Sequence, residues 1–137
     1  DSTTTDPAVT NTGTVPCYIR ATVTIADSGT GNGQTIQNFI TMDALGANWT
    51  LASGSTWGAR QATVYYTGGG EGGVLAPGGT TTPIFPGFTL NDTDGEVPLL
   101  QAANSGFDII VTVQAVQTTA DGKTITGPQS AFTQLMP

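Results

Sequence analysis

Residues 11–25 read NTGTVPCYIRATVTI and contain the clearest strand pattern of the chain. From Ile19 to Ile25 every second residue is apolar, and Arg20 and two threonines occupy the positions between them. A period of two is typical of a strand with one buried and one solvated face. We therefore predict a core strand here. Cys17 should be a small buried residue at its start, and a disulfide between subunits is the alternative for this single cysteine.

The residues before this strand predict a turn. Asn11 and Gly13 tolerate positive φ, and Pro16 fixes one backbone angle and lacks an N–H donor. The chain should therefore reverse between an earlier extended segment and the core strand. We predict that residues 7–10 form a strand beside it.

Further segments along the chain also predict strands, because apolar and β-branched residues alternate between turn signals. In residues 107–117, Val111 and Val113 should face the core and Thr112 should face water. This second long strand should pair with the first long strand in the core. The run 83–90 contains two prolines without N–H donors and should lie at a sheet edge or carry a bulge. The remaining predicted strands are residues 35–42 (with Phe39, Ile40 and Met42 as core candidates), 49–52, 59–66 and 131–136, and Asp121-Gly122 should close a hairpin.

Composition agrees with one all-β domain. The chain has 137 residues, of which only 9% are charged, with 19 glycines, 8 prolines and frequent Thr, Val and Ile. This composition favours strands over helices at a length typical of one domain. We predict a β-sandwich of about seven to eight short antiparallel strands, formed by residues 7–137.

Charge and missing residue types exclude several functions. Three basic residues against ten acids, a net charge of −7, cannot neutralise nucleic-acid phosphates or bind anionic membrane surfaces. No apolar run approaches the roughly 20 residues of a spanning helix, so we predict no membrane insertion. The chain contains no His, which excludes Ser-His-Asp relays and His-containing zinc sites. We therefore predict that the protein is not an enzyme and needs no cofactor.

Three segments resemble the TasA/camelysin group of exported proteins. The run from Pro7 to Gly13, continued by Tyr18-Ile19-Arg20, is similar to the opening P-x-V-x-N-x-G followed by Y-V/I-R. Leu75-Ala76-Pro77-Gly78 and the following TTTPIF resemble the segment L-x-P-G-x-x-T-x-P-L-F, which follows a Trp and a Tyr-Tyr, here Trp57 and Tyr65-Tyr66. Residues 107–117 are similar to the family's penultimate strand. The matches occur in family order and span most of the chain.

The resemblance implies a fold, a location and a way of assembly. The expected fold is a jelly-roll or immunoglobulin-like β-sandwich, secreted to the cell surface, which polymerises with itself into a pilus or biofilm-matrix fibre. Other matrix components are further candidate partners. The chain does not begin with Met, so either a leader has been removed, which would mean export, or the sequence begins at an internal residue. Camelysins are described as metalloproteases, but the absence of His means that we do not transfer that activity.

The N-terminal residues are the predicted polymer contact. Family members donate a strand that lies upstream of the opening motif, whereas only residues 1–6 precede it here. Residues 1–10 are nevertheless the candidate donor strand, since no packing is expected before Ala8 and β-branched threonines favour strand pairing. The predicted contact residues are Ser2, Thr3, Thr4, Thr5, Pro7 and Val9. The strand 131–136 is the second candidate, and a monomeric surface adhesin or surface-layer binding module is the alternative function.

Four other features each have two interpretations. Asp92, Asp94 and Glu96 form either a solvated acidic turn or a calcium site, because calcium loops place oxygen ligands at alternate positions. Asn48 and Asn91 begin sequons that a host could glycosylate. Arg20 should pair with a structural carboxylate, and a role in ligand binding is the alternative. The last group comprises aromatic residues that either pack in the core or form a carbohydrate platform, namely Trp49, Trp57, Tyr65 and Tyr66.

Overall fold

The computed structural model describes residues 2–4, 6–27, 40–68, 72–90 and 107–136. In these ranges the chain forms antiparallel β-sheets and one short helix, which confirms the predicted all-β class. The elements are β1 (Ser2–Thr4), β2 (Cys17–Asp27), β3 (Ile40–Met42), β4 (Trp49–Leu51), β5 (Gln61–Tyr66), β6 (Gly87–Leu90), β7 (Phe107–Gln117), β8 (Thr119–Ala120), β9 (Lys123–Thr124) and α1 (Pro128–Leu135).

The larger sheet has four strands in the order β4-β5-β2-β7. β2 pairs with β7 along its whole length, from Cys17 opposite Gln117 to Asp27 opposite Phe107. On its other side β2 pairs with β5, and Ala21 lies opposite Val64. The predicted pairing of the two long alternating strands is therefore confirmed, and β2 is an interior strand of the sheet.

The smaller sheet has three strands in the order β1-β6-β3, so β6 lies in the middle. The prediction that residues 83–90 form an edge or bulged strand is wrong. The strand begins at Gly87, after both Pro83 and Pro86, so neither proline removes a donor from its hydrogen-bond ladder. β6 therefore pairs on both sides, with Thr3 and Met42 both opposite Phe88.

The main core lies against one face of β2. Val23 is 3% exposed and Ala21 is fully buried, as the alternation predicted. Buried residues of β4, β5 and residues 75–85 complete this cluster, and Met42, Ile109 and Val111 pack against it. Asp121 and Gly122 both have positive φ in the predicted β8–β9 turn.

A second cluster on the opposite face of the four-stranded sheet corrects another prediction. Residues 131–136 were predicted as a strand, but 131–135 belong to α1, whose Ala131 and Phe132 are buried. Phe132 packs with Tyr18 and Val116, and Tyr18 Oη donates to the Ile125 carbonyl at 2.7 Å. The helix is stable because its buried residues pack on the apolar surface of this face.

The predicted orientation of β7 is only partly right. Ile109 and Val111 pack against the main core, but Val113 is 42% exposed and Ala115 is exposed. Val116, on the other face, is buried beneath α1. β7 lies at the end of the sheet, where alternation alone does not determine what covers each residue.

Candidate assembly interface

The N-terminal segment runs antiparallel along residues 78–90 of the same chain. β1 pairs with β6, with Ser2 opposite Thr89. The Ile84 N–H donates to the Pro7 carbonyl at 2.7 Å, and the Thr81 N–H donates to the Val9 carbonyl at 2.8 Å. The prediction that residues 7–10 pair with the first long strand is therefore wrong, because residues 80–84 are their partners.

Asn11 anchors the inner end of this segment. Its side chain is buried, and its Nδ2 donates to the carbonyls of Val15 and Leu75, each at 2.9 Å. Its Oδ1 accepts the Gly13 N–H at 2.9 Å, and its backbone carbonyl accepts the Gly78 N–H at 2.7 Å. The first two motifs of the family resemblance, far apart in sequence, are thus bonded to each other through Asn11.

The outer end of the segment is held less extensively. β1 has three residues and lies at the end of its sheet, with β6 as its only strand neighbour among the residues described. Asp6 separates β1 from the anchored residues and has a φ of 45°, in the left-handed region that non-glycine residues rarely adopt. Its N–H donates to the Pro86 carbonyl over 3.4 Å, a long hydrogen bond. Asp6 therefore lies at the boundary between β1 and the anchored residues, and we refer to this position as the hinge.

The predicted polymer-contact residues divide at this hinge. Ser2, Thr3 and Thr4 belong to β1, whereas Pro7 and Val9 belong to the anchored part. Val9 is half-buried against the main core, and its N–H donates to Thr81 Oγ1 at 3.0 Å. Thr5 lies outside the described residues. The expectation that nothing packs before Ala8 is wrong, since β1 pairs with β6 and the Pro7 carbonyl accepts a hydrogen bond.

The acidic and glycosylation candidates are only partly described. Asp92, Asp94, Glu96 and Asn91 lie outside the described residues, so the calcium interpretation stays a prediction. Within the described ranges, no group of three Cys, Asp or Glu side chains could hold a metal ion. Asn48 is exposed in a turn with a φ of 70°, and its sequon remains a candidate glycosylation site.

The aromatic residues do not form a carbohydrate platform. Trp49 and Tyr66 are buried in the main core with ring centroids 5.4 Å apart, and Trp57 packs on Phe85. Tyr65 lies on the opposite face of the sheet, against Phe132. The core-packing interpretation is therefore the correct one.

Arg20 has a structural role, and its partners among the described residues are not carboxylates. Its Nε donates to Gln114 Oε1 at 2.8 Å, and its guanidinium lies 4.5 Å from the centroid of the Phe132 ring. A cation over an aromatic ring is attracted by the ring quadrupole. Arg20 therefore links β2, β7 and α1.

Cys17 is a free, buried cysteine at the start of β2, as predicted. Desolvation by burial raises the pKa of its thiol above the ordinary value of 9.0. The thiolate is the reactive form, so this thiol is poorly reactive at neutral pH. A disulfide between subunits would require this buried sulfur to become accessible.

Sequence reasoning missed two surfaces of the four-stranded sheet. One is the cluster under α1, for which Gly127-Pro128 was an available signal, since Pro is favoured in the first turn of a helix. The other is the outer edge of β7, which depends on strand order and leaves no local signal. No described helix is long and apolar enough to cross a membrane.

Comparisons with protein-family models, with curated proteins and with solved structures find no match to this chain.

Proposed function

We propose that this protein is a structural subunit of an extracellular filament, a pilus or biofilm-matrix fibre, whose copies exchange β1. The observation that carries the proposal is the contrast on the two sides of Asp6: a three-residue edge strand lies before this left-handed residue, and a segment with several backbone hydrogen bonds to residues 78–84 lies after it. Exchange of an identical element between copies is a low-cost route to assembly, because the contacts within one chain and between two chains are the same.

The geometry at the hinge favours exchange. Few backbone hydrogen bonds hold a three-residue strand, and each contributes only about 0.5–1.5 kcal/mol net. A left-handed conformation costs a non-glycine residue roughly 1–2 kcal/mol. If β1 crosses to a neighbouring copy, Asp6 can become extended and that cost disappears, while β6 regains the same partner.

The resemblance to TasA/camelysin proteins supports the same function. In this proposal the two sheets face each other as the layers of a jelly-roll or immunoglobulin-like β-sandwich. Support for the layers comes from the main core, which joins β2 and β5 to Ile84 and Phe85 beside β6. The protein is secreted, acts without catalysis, and binds copies of itself and other matrix components.

A monomeric surface adhesin is the second candidate function. One observation favours it: β1 pairs within its own chain, so a single copy already satisfies β6 on both sides. The two functions differ in what purified protein forms, because only the subunit requires ordered filaments.

Deletion of residues 1–5 tests the proposal. The shortened protein should keep the circular dichroism spectrum and thermal transition of a folded domain, because Asn11 and the main core are untouched. It should form no filaments in electron micrographs under conditions where the full chain does.

A length-matched variant replaces Ser2, Thr3 and Thr4 by Gly, which keeps the length but removes the side chains of β1, including the β-branched threonines that favour pairing. This variant should also assemble poorly. If the deletion variant polymerises as readily as the full chain, β1 is not the connector. If the full chain forms no filaments under any condition, the monomeric function is favoured.

A further inference from the structure

The outer edge of β7 is a long strand edge at the end of the four-stranded sheet. β7 has eleven residues, and in the order β4-β5-β2-β7 its outer side has no strand partner among the residues described. The other edge strands, β1, β3 and β4, have three residues each. Short edge strands limit unwanted pairing, whereas a long open edge is a template for another strand. Unlike the short edge strands, β7 is therefore not protected by its length against pairing with another strand.

The residues of β7 do not block pairing. Edges are normally protected by Lys, Pro or bulges, and β7 contains no Lys or Pro and pairs with β2 without interruption. Its single charged residue is Asp108, near one end. Ile110 is 46% exposed and Val113 is 42% exposed, on opposite faces of the strand. A partner strand would cover both.

We propose that β7 pairs antiparallel with β7 of a second copy, about a two-fold axis at Val111. In this register Val113 lies opposite Ile109 of the other copy, and Ile110 lies opposite Thr112 of the other copy. Antiparallel partners have Cα atoms about 4.5–5.5 Å apart, so the exposed apolar side chains would be in contact. The two four-stranded sheets would become one sheet of eight strands.

The position of the charged residue of β7 favours this register over the neighbouring one. Asp108 of one copy lies opposite Gln114 of the other, and Gln114 already accepts a hydrogen bond from Arg20. The only acid of β7 therefore approaches one of the three basic residues of the chain. Moving the axis to Thr112 would instead place Asp108 opposite Val116, which is buried under α1. Self-complementary charge and apolar contacts favour a second copy as the partner.

This inference goes beyond the proposed function. β7 belongs to the four-stranded sheet and β1 to the three-stranded sheet, so the same copy could use both contacts. A strand pair with few other contacts buries little surface and falls among the weak interfaces, below about 1,200 Å² in total. The association should therefore be reversible and depend on protein concentration.

Cysteine cross-linking of the full chain tests the pairing. At the axis, Val111→Cys places two thiols on facing residues within the Cα separation that a disulfide accepts, about 4.4–6.8 Å. Mild oxidation should give several-fold more covalent dimer than with Val15→Cys, a control at a 55% exposed valine outside β7. Adding Val113→Lys to Val111→Cys should abolish the dimer, whereas adding Val15→Lys should not.

Hydrogen exchange gives an independent readout. The outward amides of β7 should become more protected as protein concentration rises. Equal protection at every concentration, together with no excess dimer from Val111→Cys, would mean that the edge stays unpaired or is covered by a segment of the same chain, and would overturn the proposal. Loss of filaments on deletion of residues 1–5, with the β7 cross-link retained, would separate this contact from β1 exchange.

Discussion

β2 and β7 have the same length and the same alternating pattern, yet they experience different surroundings. Both have eleven residues, and they pair with each other from end to end. β2 lies inside the sheet, where Val23 is 3% exposed, whereas β7 lies at the end, where Val113 is 42% exposed. Alternation therefore predicts that a strand forms and which face is apolar, but strand order decides how much of that face is buried.

A Val→Asp substitution should affect stability very differently on the two strands. Val23→Asp should prevent folding, because an unpaired buried carboxylate costs several kcal/mol against a total stability of about 5–15 kcal/mol. Val113→Asp should leave a folded protein with a stability loss of at most about 1 kcal/mol, because its carboxylate remains in water. Circular dichroism and urea unfolding measure both. Equal damage at the two positions would contradict the difference between the strands.

Particular residues show how much of the fold could be predicted from the sequence. The alternation from Ile19 to Ile25 correctly predicted the strand, its buried face and its pairing with β7. Pro83 and Pro86 were misleading, since they precede β6 rather than interrupt it. The segment around Phe132 fits a period of two as well as a helix, and its packing on Tyr18, more than 100 residues away, decides between them.

The burial of β7 residues also differs along the strand. Val116 is 8% exposed beneath α1, so the face of β7 that carries Val116 is buried at this end. Val116→Ala should lower the free energy of unfolding by about 1–3 kcal/mol through lost burial and a residual cavity. Val113→Ala should cost less than about 0.5 kcal/mol. Similar midpoints of urea unfolding for the two variants would show that α1 does not protect this end of β7.

The candidate site was predictable only in part. The sequence indicated the N-terminal residues as a connector, because they precede the first core strand and favour extended structure. Their partners could not be predicted, since the bonds from Pro7, Val9 and Asn11 reach residues about 60 to 80 positions away. The left-handed Asp6 arises from those bonds and has no local signal beyond the tolerance of Asp for turns.

A smaller effect is expected at the end where Cys17 lies opposite Gln117. Burial raises the pKa of the folded thiol above 9.0, so the folded state retains its proton at a pH where the unfolded chain loses it. The thiol's contribution to stability should be present below pH 9.0 and be lost as the pH rises toward the folded pKa. Urea unfolding of the wild type and of Cys17→Ala between neutral and alkaline pH measures the difference. Parallel pH profiles for the two proteins would show that burial does not perturb this thiol.

Cross-linking of Ser2 to Thr89 would show whether β1 of one copy pairs with β6 of another. These residues are partners in the register of β1 and β6, at a separation that a disulfide can bridge. Single variants Ser2→Cys and Thr89→Cys are mixed before assembly and then oxidised, with buried Cys17 present in both as background. We predict covalent dimers that contain one copy of each variant, and a ladder of covalent oligomers from the double variant. A double variant that yields only internally linked monomer, with no mixed dimer from the two single variants, would contradict strand exchange.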